Sequence, residues 1–95
     1  MAEEHIQKNN PDIEQIADEK IGNDRLLILY NDEVHTFDYV IDTLIKVCEM
    51  ESVQAEQCTY LVHYKGKCDV KKGNYTYLKP YKQGLIDKGL QATID

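Results

Sequence analysis

Long apolar runs are missing from these 95 residues: the longest, Leu26 to Tyr30, has five, where a membrane-crossing helix needs about 20. The N-terminus also lacks the apolar core of a secretion signal, so a cytoplasmic protein without a membrane span is expected. Positive charge is scarce. Eleven Lys and Arg face seventeen Asp and Glu, for a net charge of −6, and no basic patch offers itself to a phosphate backbone. Nucleic acid is therefore not an expected partner. Cysteines are few and odd in number, and Cys48, Cys58 and Cys68 read as reduced thiols on a chain without an export signal. Their spacing with His63, C-x9-C-x4-H-x4-C, lacks the short hook that brings two adjacent ligands to one zinc ion, so no metal or other cofactor is expected. The motifs G-x-S-x-G, H-E-x-x-H, the P-loop and G-x-G-x-x-G are absent as well, which leaves catalysis with little support.

A chain of this length holds one hydrophobic core, not two. Its first 24 residues carry Glu3, Glu4, Asp12, Glu14, Asp18, Glu19 and Asp24 against Lys8 and Lys20, with few large apolar side chains. Such a segment cannot offset its ordering entropy by burial, so residues 1–24 are expected to form a flexible acidic extension and residues 25–95 the folded domain.

Regular patterning begins at Arg25. Leu26–Tyr30 suits a strand covered on both faces and closed by Asn31-Asp32-Glu33. Thr36 is a plausible N-cap for a helix carrying Phe37, Val40, Ile41, Leu44, Ile45 and Cys48 at helical spacing, with Asp38 favourable in its first turn. A second helix is expected from a Ser52 cap to about Tyr64, turning Val53, Ala55, Cys58, Leu61 and Val62 inward and stopped by Gly66. Lys67–Val70 reads as an edge strand and Lys71–Asn74 as a turn. Tyr77, Leu78, Tyr81 and Leu85 carry helical spacing towards Lys88, although Pro80 and Gly84 argue against a long helix. Gly89 ends it, and Leu90–Ile94 forms a last strand. The expected fold is a compact α+β domain with a small three-stranded antiparallel sheet and three helices packed on it.

The candidate site lies at the end of the first strand and in the second helix. Asn31 and Asp32 offer an amide oxygen and a carboxylate, and His63 offers a ring nitrogen with a free lone pair. An ammonium group has three donors and one positive charge, and is satisfied by an anion plus two neutral acceptors. Imidazole suits the role because it is mostly neutral at pH 7. By themselves, an Asn-Asp pair after a strand and a His near a helix end are more often a plain turn and a solvated cap.

Three blocks together carry a resemblance: Arg25–Glu33 (RLLILYNDE), Phe37–Asp42 (FDYVID) and Val62–Lys67 (VHYKGK). In order and spacing, over roughly residues 25–95, they resemble the ClpS family of adaptor proteins. The resemblance implies a delivery protein, not an enzyme: it would bind substrates bearing an N-terminal Leu, Phe, Tyr or Trp and pass them to a Clp AAA+ unfoldase, of ClpA or ClpC type, working with ClpP. It also implies that Asn31, Asp32 and His63 hold the free α-amino group, and that Phe37, Val40, Thr59 and Val62 line the side-chain pocket, with Phe37 at its gate. Met is frequent in the family where Phe37 and Thr59 stand, and Thr-Pro is common where His35 and Thr36 stand. At the start of the third helix, part of the family's unfoldase-facing surface, the residues here are Thr76, Lys79, Pro80 and Tyr81. The acidic extension resembles the family's N-terminal segment, which engages the unfoldase.

A small thiol- or metal-dependent enzyme using Cys58 or Cys68 with His63 is the alternative. Five helical positions separate Cys58 from His63, about 140° around the axis, so the two do not share a face.

Overall fold

β1 (Arg25–Tyr30) is the middle strand of the sheet, and its apolar run explains why: Leu27, Ile28 and Leu29 are all buried, as expected of a strand covered on both faces. The computed structural model describes residues 24–95, so the expected acidic extension lies outside the described residues but for Asp24. After β1 come α1 (Phe37–Cys48), α2 (Ser52–Lys65), β2 (Lys67–Gly73), α3 (Tyr75–Asp87) and β3 (Gln91–Ile94). The sheet has the order β2-β1-β3, antiparallel throughout, and together with the three helices it makes the expected α+β architecture. β3 extends one residue beyond its regular span: Leu26 and Asp95 exchange both backbone hydrogen bonds, at 3.2 and 2.9 Å.

Thr36 caps α1 as expected, its hydroxyl accepting from the Tyr39 amide at 3.1 Å. Four expectations are corrected. Glu51, not Ser52, is the N-cap of α2, and it makes no side-chain capping bond; Ser52 is the first helical residue. Val53 and Leu61 point outward, because adjacent residues such as Leu61 and Val62 sit 100° apart and cannot share one narrow buried stripe. That stripe is Ala55, Cys58, Thr59 and Val62, with the Thr59 hydroxyl satisfied by the Ala55 carbonyl at 2.8 Å. Lys71–Gly73 belong to β2, not to a turn. The register slips between Leu27 and Ile28, leaving Val70 as the extra residue of a bulge with its side chain buried.

The fourth correction is α3, a full helix running through both Pro80 and Gly84. Asn74 caps it, accepting from the Tyr77 amide at 2.8 Å. Pro80 withholds the bond to the Thr76 carbonyl, but both residues are exposed and water can replace it. Gly84 lies where α3 meets α1: a Cβ there would stand 2.7 Å from Val47 Cγ1, so the close approach of the helices needs a glycine. Leu44, Cys48, Leu78 and Leu85 fill the space between these helices and β1.

Candidate functional site

The turn that ends α2 also fixes the end of β1. Gly66 has φ +96°, a conformation glycine adopts without steric penalty, and its amide donates to the Val62 carbonyl at 3.1 Å. Its carbonyl in turn accepts from the Asn31 amide at 2.9 Å. His63, one helical turn earlier, is thereby brought beside the Asn31-Asp32 loop although 31 positions separate it from Asp32 in sequence.

A cleft of about 320 Å³, including its open mouth, lies at this junction. All of Asn31, Asp32, Phe37, Val40, Thr59, Val62 and His63 line it. Asn31 and His63 are exposed and Asp32 half-buried, whereas Val40, Thr59 and Val62 are buried, so polar groups surround the opening and a mainly apolar wall lies within. Phe37 bridges the two regions. Its ring meets the His63 imidazole edge-on at 5.0 Å and the Tyr60 ring at 5.2 Å, and Tyr60 stacks on Tyr64 at 6.0 Å. Since Tyr64 also meets His63 at 4.7 Å, the imidazole is held by rings on two sides.

Leu29, Tyr30, His35, Thr36 and Leu90 complete the lining and were not among the expected site residues. Leu90 carries no local signal, because only the pairing of β3 with β1 places it there. His35 did carry one: it stands three residues after Asp32 across a predicted turn. The Asp32 Oδ1 accepts from the amides of Val34 and His35 at 2.6 and 3.0 Å, and its Oδ2 lies 2.5 Å from His35 Nδ1. Burial acts to raise the Asp32 pKa, but the His35 imidazole and the two amides outweigh it and hold the carboxyl below its ordinary value. The site is thus anionic at neutral pH.

The cysteines lie elsewhere. Cys48 and Cys58 are buried and Cys68 is half-buried. Burial is the main cause of a raised pKa in all three, lifting Cys48 to about 11, and Cys58 is raised further by contact with the Cys68 thiol. A nucleophilic thiol needs a shift in the other direction. The rings around His63 are those of Phe37 and Tyr64. Among the described residues no group of three or more His, Cys, Asp or Glu is placed to hold a metal ion, and no helix is long and apolar enough to cross a membrane.

Residues 23–93 match the family model described as "ATP-dependent Clp protease adaptor protein ClpS". Among solved structures, the chain is similar to Agrobacterium tumefaciens ClpS2 bound to L-phenylalaninamide, with a TM-score of 0.65 and 14% identity, over 78% of this chain and 96% of that one. At that identity the likeness concerns the fold. No curated protein matches the sequence significantly.

Proposed function

The chain belongs to the ClpS family of ATP-dependent Clp protease adaptor proteins, and on that premise we propose that it binds proteins whose first residue is Leu, Phe, Tyr or Trp and delivers them, in the cytoplasm, to a Clp AAA+ unfoldase of ClpA or ClpC type working with ClpP. It is a binding module with no catalytic step. The observation that carries this reading is a single cleft whose opening holds Asn31, Asp32 and His63 and whose interior holds Val40, Thr59 and Val62. An α-ammonium group finds there one carboxylate and two neutral acceptors, while a large first side chain finds a buried apolar wall. L-Phenylalaninamide, the ligand of Agrobacterium ClpS2, offers the same pair of features, a free α-amine and a benzyl side chain.

Burying a Leu or Phe side chain contributes about 1.5–3 kcal/mol, too little to distinguish a degron from the other apolar side chains of a cell. The amine therefore has to supply the discrimination. Acetylating it removes the charge and leaves Asp32 desolvated beside a neutral amide, at a cost of roughly 2–5 kcal/mol, about thirtyfold or more in Kd.

Fluorescence anisotropy with short peptides beginning Phe, Leu, Tyr, Trp or Ala, each with a free or an acetylated N-terminus, tests the reading. The large apolar set should bind only with a free amine. Asp32→Ala and His63→Ala should each weaken binding by about tenfold or more while leaving the circular dichroism spectrum unchanged. Wild-type affinity in both variants, or equal binding of free and acetylated peptides, would sink the assignment.

A further inference from the structure

A carboxylate has about four lone-pair sites, and three of those on Asp32 are already taken. Val34 N and His35 N occupy Oδ1, and His35 Nδ1 occupies one side of Oδ2. Because an ionised carboxylate has no proton to give, Nδ1 must carry the hydrogen of that last bond. One Oδ2 lone pair remains for a ligand, and the direction it points is set by these three bonds, two of them from His35.

The imidazole is itself fixed. Its ring stacks on Tyr39 of α1 at 4.6 Å and 17°, and the Tyr39 hydroxyl donates to the Lys88 carbonyl at 2.7 Å. On another side the ring packs against Gly89, where a Cβ would stand 3.2 Å from both Cε1 and Nε2. A continuous set of contacts therefore runs from the α3–β3 turn through Tyr39 and His35 to the Asp32 carboxylate.

We propose that His35 is a positioning residue of the amine-binding site: its Nδ1–H holds the Asp32 carboxylate in the orientation that receives an ammonium group. The inference rests on the adaptor reading above and adds to it a residue that acts through Asp32. A neutral imidazole orients the carboxylate and leaves its full charge available, so the ligand meets an ordered acceptor.

The test measures Kd for a Phe-initiated fluorescent peptide, with free and acetylated N-termini, against the wild-type protein, His35→Ala, His35→Asn and His35→Phe at about pH 7.5. Asn keeps an N–H donor at the same number of bonds from the backbone, whereas Phe keeps a ring to stack on Tyr39 but has no donor. His35→Ala and His35→Phe should bind about tenfold more weakly and His35→Asn within about threefold of wild type. Should His35→Ala fold poorly, as melting curves would reveal, the contrast between His35→Phe and His35→Asn still decides. A wild type that distinguishes free from acetylated peptide, with either a His35→Phe that binds as well as wild type or a His35→Asn that binds as weakly as His35→Phe, overturns this inference alone. A wild type that makes no distinction overturns the adaptor reading and this inference together.

Discussion

Thr59 shows how a single residue can shape the cleft. It is 2% exposed, and its hydroxyl is committed to the Ala55 carbonyl, so it forms a small part of the cleft wall with little free polarity. Thr59→Met would add volume to that wall and narrow the cleft. The expected outcome is a loss of binding for Trp- and Tyr-initiated peptides by about 1–3 kcal/mol relative to Leu-initiated ones, read from competition anisotropy. Cys48 gives a stability prediction. Folding keeps its thiol protonated to higher pH than in the unfolded chain, moving it from 9.0 to about 11. Its contribution is complete below about pH 9 and is lost as pH rises towards about 11. Urea midpoints should fall over that interval, and a Cys48→Ala variant, less stable throughout, should fall less steeply. At this scale the sequence was informative where chemistry is carried by residue type: Asn31, Asp32 and His63, and the apolar Val40 and Val62, all line one cleft. It was less so for His35, whose partner is set by a turn geometry that the Asp-x-x-His spacing only suggests.

Elements were legible where periodicity is strong. α1 has its expected cap and bounds because Phe37, Val40, Leu44 and Cys48 repeat cleanly on one face. α2 was placed correctly but faced wrongly in part, since its outer face carries Val53, Tyr60, Leu61 and Tyr64 and its inner face a threonine. Hydrophobicity alone could not distinguish those faces. α3 was underestimated because Pro80 and Gly84 act locally as helix breakers, whereas tertiary structure uses one on an exposed face and the other at a helix contact. That contact yields a prediction. Gly84→Ala would gain about 1 kcal/mol of helix propensity, yet its methyl would meet a β-branched neighbour with few rotamers to yield into, at a cost of about 1–3 kcal/mol. A lower melting temperature is expected for Gly84→Ala, and a Val47→Ala, Gly84→Ala pair should be more stable than the sum of the single changes implies, as a double-mutant cycle would measure.

For the whole molecule, near neutrality over residues 25–95 conceals a division that only the fold makes meaningful. Lys65, Lys67, Lys71, Lys72, Lys79, Lys82 and Lys88 fall on or beside β2 and α3, against Asp69 and Asp87, whereas residues 31–64, which span α1, most of α2 and the loops before them, carry Asp32, Glu33, Asp38, Asp42, Glu49, Glu51 and Glu56 against Lys46. The cleft belongs to the acidic part, which favours a cationic N-terminus approaching from solution. If residues 1–23 act in delivery and not in recognition, their removal should leave peptide affinity within about twofold and abolish degradation of a Phe-initiated substrate by the unfoldase and protease. Loss of peptide binding on truncation would refute that division of labour. The paired backbone of Leu26 and Asp95 adds a consequence for tethering. Tyr30 lines the cleft, while Leu26 stands at the other end of the same strand, roughly 13 Å away at about 3.3 Å per residue. The backbone at Leu26 and Asp95 thus lies at the pole opposite the cleft. A dye or bead linked to a side chain placed at this pole will leave the opening of the cleft facing solvent.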